Sequence, residues 1–599
     1  MEHFIKRKNQ NKLHQQVIKK QLDRLGWIRI VTFILGVGII IISNLYQYEI
    51  GYFIGATLLV AFIVLVKKYH QVDEKRSYYE AEEVVLNKYE ARVGGAWKEF
   101  DDMGEAYTDI LSRTKDLDII GRSSLYQYIC TAHTPYGKRT LAKALVYGER
   151  EKKVLLKRQE AVRELLEDED FALHLQTISM QMKLRGSKLD SVILDEFIKE
   201  AEKQKNYVSR FMKVIGIILP FITLFCFVIA LLGFKAQQNY IIVEIGITLQ
   251  LIISFGQSRK AGELFAPLFA FNDTISEYKA FLEVLEKKSF KSAYLKELQG
   301  ELFSSGSAFQ GLEAMNKLTD SVKICYNFVA NVILNGLFLW NIHCMDALSI
   351  WNKQYGKEVK RWLEVIGEVE TLVSLAVIGR VKTTYSFPTI TEHKGPEFEF
   401  KNMKHPLIAE EKAVGNDLRM SETTCIITGS NMSGKTTFLR SIGVNLALAY
   451  AGGPVVAEEF STSYMEIFTS MRIEDRVDKG ISTFYAELLR IKEMIEYSNR
   501  HLPMLVLIDE IFKGTNSADR ILGATETIKK LGKPWLNVMV TTHDFELCNL
   551  AEENRRKTVN YHFEEYYEDN QIRFDYKLKN DRCKTTNAKY LLKMVGILD

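Results

Sequence analysis

The chain has little proline and no paired cysteines. Only 9 of its 599 residues are proline, where an average usage of about 5% would give roughly 30. This shortage predicts long helices joined by few loops. The 7 cysteines are scattered without a C-x-x-C pair. Their pattern excludes a disulfide framework and a zinc ribbon, and it favours a reducing compartment.

The chain also lacks a large excess of charge of one sign. It has 79 basic and 75 acidic side chains, a net charge of +4, and 47% hydrophobic residues. This balance excludes wholesale disorder and does not indicate nucleic-acid binding by bulk charge. A cleavable signal peptide is not expected, because the first apolar run starts near residue 30 and a second run follows at once.

Four long apolar runs predict two helical hairpins. The first pair covers residues 30–46 and 48–66, and the second covers residues 214–234 and 240–255. At about 1.5 Å per residue, such runs nearly cover a hydrocarbon core of roughly 30 Å. Basic residues flank both hairpins, whereas the two short tips share a single one. The positive-inside bias predicts a multi-pass protein of the cell membrane with both termini in the cytoplasm.

An alternative for both hairpins is burial in the core of a soluble protein. A shorter apolar stretch, residues 328–340, contains Asn331 and Asn335 and is predicted to be a buried core helix. The segments between these landmarks have helical periodicity. From about residue 385, short β-rich runs alternate with helical segments, which predicts an α/β domain with a largely parallel sheet.

A glycine-rich loop, TGSNMSGKTTFLR, follows a predicted strand and opens a predicted helix. Its residues Gly429, Gly434, Lys435 and Thr436 fit the pattern GxxxxGK[ST]. In this pattern, backbone N–H groups cradle phosphates at the positive end of a helix dipole. The lysine reaches the β- and γ-phosphates, and the threonine hydroxyl binds Mg²⁺. We therefore expect ATP and Mg²⁺ as cofactors.

Two further predicted strands end in polar residues. In LVLIDE, Asp509 is expected to hold Mg²⁺ through water, and Glu510 is expected to orient and deprotonate the attacking water. His543, after VMVTT, is positioned to sense the γ-phosphate or to place the water. The structural alternatives are two carboxylates that merely end a strand and a histidine bonded to backbone. Beside the glycine-rich loop, the three residues predict a Mg²⁺-dependent ATPase.

The order and spacing of these motifs resemble the MutS family. Besides the loop, GISTFYAEL (480–488), DEIFKGTNSADR (509–520) and TTHDFEL (541–547) are similar to family segments, and the resemblance covers roughly residues 397–579. It implies a homodimer in which Ser482 reaches the γ-phosphate in the partner's site. It also places Asn416, Asn431 and Thr437 near the nucleotide. Ala413 stands where the family often has an aromatic residue that stacks on adenine.

A weaker resemblance extends upstream. Residues 116–145 and 158–166 resemble the start of the MutS core, and residues 361–376 resemble a lever helix. The first 110 residues contain no Phe-x-Glu wedge for mismatch sensing. The second hairpin stands where relatives place a DNA-gripping clamp.

The predicted fold is multidomain: a mostly α-helical core and lever region with two transmembrane hairpins, plus a C-terminal α/β P-loop ATPase domain of the ABC/MutS type. The predicted parts are a basic cytosolic tail (1–26), hairpin 1 (27–68), a helical linker (69–114), a core with the first lever part (115–213), hairpin 2 (214–255), returning lever and core helices (256–384), the ATPase domain (385–580) and a C-terminal tail (581–599).

The predicted function is a membrane-anchored MutS-like ATPase that dimerises through its ATPase domains and moves its levers on ATP binding. Its expected partners are a second copy, the lipid bilayer and duplex DNA, without a reader for mismatches. One alternative is a mechanochemical membrane ATPase that acts on a protein or envelope partner without DNA. Another is a non-catalytic, nucleotide-gated scaffold, although such a scaffold has no need of Asp509 and Glu510.

Overall fold

The structure is a computed structural model that describes residues 2–107, 111–185, 191–303, 307–472, 483–512, 516–552, 557–568 and 571–582. The chain is mostly helical and ends in a region of mixed helices and strands. This division agrees with the change in sequence texture near residue 385.

The N-terminal hairpin consists of two long antiparallel helices, α1 (Glu2–Tyr46) and α2 (Glu49–Gly94). Their charged halves pack on each other away from the turn. Arg7 Nε donates to Glu82 Oε1 at 2.9 Å, and Asn11 Nδ2 donates to Glu82 Oε2 at 2.6 Å. Phe4 stacks on Tyr89 with ring centroids 4.4 Å apart. The segment predicted as a basic tail is therefore a helix bound along α2.

The helices of the core and of the second hairpin follow. They are α3 (Ser112–Asp116), α4 (Leu125–Ile129), α5 (Pro135–Tyr147), α6 (Lys152–Glu167), α7 (Glu169–Leu184), α8 (Ser191–Glu202), α9 (Arg210–Leu231), α10 (Ala236–Lys287), α11 (Ala293–Phe303), α12 (Ala308–Ile324), α13 (Phe328–Phe338), α14 (Trp340–Tyr355), α15 (Val359–Leu375) and α16 (Val377–Val381).

The second hairpin consists of α9 and the first part of α10. Gly246 allows close approach of the two helices, because a Cβ there would lie 2.3 Å from Thr223 Oγ1. Gln250 Nε2 donates to Thr223 Oγ1 at 2.9 Å. The remaining faces of both helices are apolar and exposed, as at Phe225 and Ile245.

Four helices in the described part of the chain have the length and hydropathy of membrane spans: α1, α2, α9 and the first part of α10. Their most apolar windows are only 6% to 22% buried inside the protein. The predicted helical hairpins are confirmed as helices, and the chain does not bury them in its own core. Their placement in a membrane remains a proposal.

The structure corrects the prediction for residues 328–340. Helix α13 packs on α10 at Gly336, but most of its other side chains are exposed or half-buried. It is therefore not a buried core helix. Of the two asparagines, Asn335 is buried, and its Oδ1 accepts from Asn341 N in the first turn of α14 at 3.0 Å.

Residues 361–376, which were predicted to resemble a lever helix, lie almost wholly in α15, and their lever role stays a prediction. Helix α15 is a short buried helix that packs against α5, and Gly367 permits the contact, since a Cβ there would lie 2.8 Å from the Tyr136 carbonyl carbon. The buried Glu370 carboxylate accepts from His133 N at 3.1 Å. Burial raises the pKa of Glu370. The long helix that leaves the core is α10, with 52 residues.

The C-terminal region contains two main sheets and three helices. Its elements are β1 (Thr389–Ile390), β2 (Glu397–Met403), β3 (Asn416–Ser421), β4 (Thr424–Thr428), α17 (Lys435–Ala451), β5 (Glu459–Thr462), β6 (Glu466–Ser470), α18 (Thr483–Ser498), β7 (Met504–Asp509), α19 (Ser517–Leu531), β8 (Leu536–Thr542), β9 (Thr558–His562), β10 (Glu565–Glu568), β11 (Gln571–Phe574) and β12 (Lys579–Asn580).

The six-stranded sheet has the order β12-β9-β4-β8-β7-β6 and is parallel except at β12. A second sheet has the order β1-β5-β2-β3. Strands β4, β7 and β8 are buried along their whole length, as expected for parallel strands covered on both faces. The predicted largely parallel sheet is confirmed.

Candidate functional site

Three neighbouring parallel strands bring the predicted site residues to one edge of the sheet. Gly429 follows β4, Asp509 ends β7 and His543 follows β8, with β8 hydrogen-bonded between the other two strands. Parallel strands place their carboxyl ends at the same edge, where ligands bind in open α/β sheets. The fold therefore assembles residues that are more than 100 positions apart.

The backbone conformation of the glycine-rich loop requires both of its glycines. Gly434 has a φ of 106°, and Gly429 has a φ of 149° with Phe563 O only 2.6 Å from the position of an added Cβ. Any larger residue would be strained or would clash at either position. Helix α17 begins directly after the loop at Lys435. The loop thus faces the positive end of a 17-residue helix.

Lys435 is almost fully buried beneath the loop. Its Nζ donates to Gly429 O and to Ser430 O, both at 2.8 Å, and the residue is only 4% exposed. A buried ammonium group strongly favours an anion nearby. Ser433 Oγ, also buried in the loop, has no hydrogen-bond partner among the described residues. A phosphate oxygen fits both groups.

An oxygen pair suited to Mg²⁺ lies beside the loop. Thr436 Oγ1 donates to Asp509 Oδ2 at 2.7 Å, and Thr541 Oγ1 donates to Asp509 Oδ1 at 2.6 Å. The second bond fixes the carboxylate with one oxygen turned toward Thr436. Mg²⁺ is commonly held by one or two protein oxygens together with phosphate oxygens and water. Both predicted metal ligands therefore fit the ion.

The predicted catalytic pair is in direct contact. His543 Nε2 lies 3.0 Å from Glu510 Oε1 and 2.9 Å from Asn431 Oδ1. Glu510 has a φ of 54°, and its backbone N–H donates to Thr541 O at 3.1 Å. A left-handed glutamate costs of order 1–3 kcal/mol and occurs mainly at functional sites. The strand end thus turns the carboxylate toward the loop and the histidine.

The glycine-rich loop lines a cleft with a volume of about 770 Å³. Its polar lining residues include Lys435, Thr436, Thr437, Asn431 and Glu510. Its lining also includes Met403, His405, Ile408, Ala413, Val414, Asn416, Phe438, Phe563, Phe574 and Tyr576. A cleft lined by polar groups together with apolar and aromatic side chains suits a nucleotide, which joins charged phosphates to an aromatic base.

Asn416 lies in the wall of the cleft but acts through a neighbour. Its Nδ2 donates to Tyr576 O at 3.0 Å, and its Oδ1 accepts from Leu578 N at 2.7 Å. Both bonds hold the segment that carries Tyr576 beside Gly434, whose added Cβ would lie 3.1 Å from the Tyr576 ring. Asn416 is thus a positioning residue for an aromatic wall.

Sequence reasoning missed Tyr576, Thr541, Ser433 and His405. Tyr576 lies beyond the motifs, and only the pairing of β12 with β9 brings its segment back to the loop. Thr541 stands in the quoted TTHDFEL segment, so its hydroxyl was visible in the sequence. Burial lowers the pKa of His405 to about 3, so this wall residue is neutral at physiological pH.

Ser482 lies outside the described residues, so its predicted contact stays a prediction. Glu487, in the same GISTFYAEL segment, is buried, and its Oε1 accepts from Phe512 N at 2.7 Å. Phe512 has a φ of 60° and lies two residues after Glu510. The segment that contains Glu487 therefore holds, from within the same chain, the turn that follows Glu510.

The comparisons with known proteins agree with this geometry. The family model for MutS domain V matches residues 425–597. DNA mismatch repair protein MutS from Aquifex pyrophilus is 31% identical over 239 residues, which are 39% of this chain and 27% of that protein. Endonuclease MutS2 from Carboxydothermus hydrogenoformans is 30% identical over 244 residues, which are 40% of this chain and 30% of that protein.

The aligned region thus spans less than a third of the length of these two relatives. The family match includes the loop lysine Lys435 together with Asp509 and His543. The C-terminal part of the chain, residues 425–597, is thus similar to domain V of the MutS family.

Proposed function

We propose that the chain is a membrane-anchored, Mg²⁺-dependent ATPase that works as a homodimer and binds duplex DNA. The observation that carries the proposal is a cleft lined by Lys435, Thr436 and Glu510, with Asp509 bonded to Thr436 and His543 in contact with Glu510. Each group matches one need of ATP hydrolysis: phosphate binding, metal binding and activation of water.

The apolar and aromatic side chains of the cleft wall are suited to the nucleobase, with the Tyr576 ring as a stacking surface. The phosphates then lie over the loop, within reach of the Lys435 ammonium group and the N terminus of α17. Thr436 and Asp509 would hold Mg²⁺, which supplies charge neutralisation for the phosphates. The family match supports ATP as the nucleotide, since the matched domain is MutS domain V.

Glu510 is the general base in this proposal. Its carboxylate is held 3.0 Å from His543 Nε2, and it accepts a proton from the attacking water as the water oxygen bonds to the γ-phosphorus. The bond from this phosphorus to the bridging oxygen breaks, so that ADP leaves with that oxygen and inorganic phosphate is released. His543 and Asn431 are in contact, so movement of the loop on phosphate binding reaches the base directly. A positioned general base contributes about 10²- to 10⁴-fold to a rate.

Ion pairs join the nucleotide-binding region to the helical core. Asp118 Oδ2 lies 3.2 Å from Arg440 Nη1 on α17, and the fully buried Asp116 lies 2.9 Å from Arg490 Nη1 on α18. These ion pairs connect the helix that follows the loop directly to the core, so a movement of the loop can be transmitted to the core. Helix α10 then runs without interruption from the core into the second hairpin, which supports the transmission of motion to a membrane.

A second candidate function omits DNA. The relatives are named for DNA mismatch repair and for an endonuclease, but the described chain has hairpin 2 where relatives place the clamp. The continuity of α10 from core to hairpin favours a mechanochemical ATPase that acts on a membrane or envelope partner. The two functions share the cleft and differ in whether DNA couples to it.

ATP hydrolysis by the full chain in lipid nanodiscs, with and without duplex DNA, tests the proposal. We expect Mg²⁺-dependent hydrolysis that DNA stimulates at low salt, with stimulation that fades as salt rises, because phosphate contacts release counterions. Hydrolysis that is indifferent to DNA, without DNA binding at low salt, would favour the second function. The absence of any hydrolysis would contradict both.

A further inference from the structure

Helix α13 exposes an unusually apolar face. Phe328 is 79% exposed and Ile333 is 53% exposed, although the helix has only 11 residues. Six exposed apolar side chains make up this face: Phe328, Val329, Val332, Ile333, Leu337 and Phe338. Contiguous apolar patches of this kind are rare on soluble surfaces and mark a contact with a partner or a membrane.

The segment around α13 carries no charge. The 19 residues from Ile324 to Ile342 contain no Asp, Glu, Lys or Arg. This stretch lies between Lys323 and His343, and its only ionisable side chains are those of Cys325 and Tyr326. Helix α13 itself has 11 residues, about 17 Å, and is too short to cross a bilayer alone. Apolar stretches of about 10–14 residues are typical of buried, interfacial or re-entrant segments. Helices α12 and α13 are bent by 104° relative to each other.

The packing of α13 fixes its level relative to hairpin 2. An added Cβ at Gly336 would lie 3.4 Å from Leu251 Cδ2 and 3.6 Å from Ile247 Cγ2 on α10. Leu251 lies about two helical turns, roughly 12 Å, from the basic residue Arg259 that flanks the hairpin. On the neighbouring helices, Lys213 pairs with Asp346. Helix α13 therefore lies beside the cytoplasmic end of the apolar hairpin.

Several backbone groups at the two ends of α13 and in the first turn of α14 are paired within the chain itself. Asn327 Oδ1 accepts from Ala330 N at 3.0 Å, and Asn335 Oδ1 accepts from Asn341 N at 3.0 Å. Leu339 N donates to Asn335 O at 3.2 Å. Such internal pairing is what a helix end needs where water is scarce, because lipid offers no hydrogen-bond partners.

We propose that α13 is a third membrane element, embedded in the cytoplasmic leaflet beside hairpin 2, with its six-residue apolar face on lipid acyl chains. Lipid is the occupant because this face is continuous with the exposed apolar surfaces of α9 and α10, on which α13 packs. The inference rests on the proposed membrane anchoring and adds a helix that enters one leaflet without crossing the bilayer.

Cysteine labelling of the full chain in isolated membranes tests this inference. Three single variants have matched side-chain exposure in the structure: Ile333→Cys on α13 (53%), Ile245→Cys on α10 (55%) and Leu184→Cys on α7 (50%). Each is treated with a water-soluble maleimide or with a photoactivated, lipid-borne carbene reagent. Labelled peptides are separated by mass spectrometry, so native cysteines do not interfere.

We expect maleimide labelling at 333 to be at least about tenfold slower than at 184, because a one-unit rise in thiol pKa in lipid lowers the thiolate fraction tenfold. Carbene insertion should mark the α13 peptide about as strongly as the α10 peptide. Fast maleimide labelling at 333 with slow labelling at 245 would overturn the inference while leaving hairpin 2 in the membrane.

Protection of 333 from both reagents would also overturn it, because the face would then be covered by protein, such as a second copy of the chain. Fast maleimide labelling at both 333 and 245 would contradict the membrane anchoring itself, and with it the place of α13. One experiment therefore distinguishes a failure of the inference about α13 from a failure of the proposed membrane anchoring.

Discussion

The proposed nucleotide-binding cleft and the apolar hairpins are stabilised in different ways. In the cleft, short hydrogen bonds join Thr436 on α17, Asp509 on β7 and Thr541 on β8. In hairpin 2, the bond between Gln250 and Thr223 is the one side-chain hydrogen bond between α9 and α10 among the described contacts. The proposed function of the cleft depends on a few polar atoms, whereas the proposed membrane contact of the hairpins depends on many apolar side chains. Single substitutions should therefore separate the two regions.

The largest effect is expected for Lys435→Ala. Removal of the ammonium group should weaken ATP binding by about 10²-fold, since hydrogen bonds to charged groups contribute roughly 1.5–3 kcal/mol. Equilibrium binding of a fluorescent ATP analogue to the full chain measures this loss. The exposed Lys401→Ala on β2 is the control and should bind normally. Equal binding by both variants would place the phosphates elsewhere.

A smaller effect on the same region is expected for Thr541→Val. The change keeps the shape of the side chain but removes the donor that fixes Asp509, so kcat should fall about tenfold or more, as the loss of one buried charged hydrogen bond predicts. Steady-state hydrolysis at saturating Mg²⁺-ATP measures it. Thr527→Val, a buried substitution in α19, serves as the matched control. A kcat equal to that of the control would mean that Asp509 needs no support from β8.

The smallest effect is expected within hairpin 2. Gln250→Leu removes the bond to Thr223, and interhelical hydrogen bonds in membranes contribute only about 0.6 kcal/mol on average. Thermal unfolding in nanodiscs should shift little, and ATP hydrolysis should be unchanged. Thr223→Val should give a similar shift, with little further change in the double variant. A large loss of stability would show that the hairpin, like the cleft, depends on a specific polar contact.

The residues of the cleft could be identified in the sequence because the expected chemistry requires particular residue types at fixed places. Their roles stay predictions. Gly429 and Gly434 are needed for backbone geometry, and Lys435, Asp509 and His543 each follow or end a strand that the apolar pattern reveals. The parallel sheet then forces these strand ends together. Local pattern and global fold agree here, so the site follows from the sequence.

The sequence did not reveal features that depend on long-range packing. Tyr576 reaches the loop only because a later strand folds back beside β9. Helix α13 was expected to be buried in the core, but only Asn335 and Gly336 are buried, and the Asn335 side chain bonds to the first turn of α14. The periodicity of α15 identified a helix without showing that most of its residues are buried. Which face of a helix is buried depends on neighbours that are far away in sequence.

The most direct test of the account is Glu510→Gln, compared with Glu526→Gln on the exposed face of α19. The account predicts that Glu510→Gln binds ATP with a Kd within about threefold of the unmodified protein, while the hydrolysis rate falls about 10²- to 10⁴-fold, as expected for loss of a general base. Glu526→Gln should hydrolyse ATP normally. If Glu510→Gln hydrolysed ATP as fast as Glu526→Gln, Glu510 would not be the base, and the assignment of the cleft as the catalytic site would be contradicted.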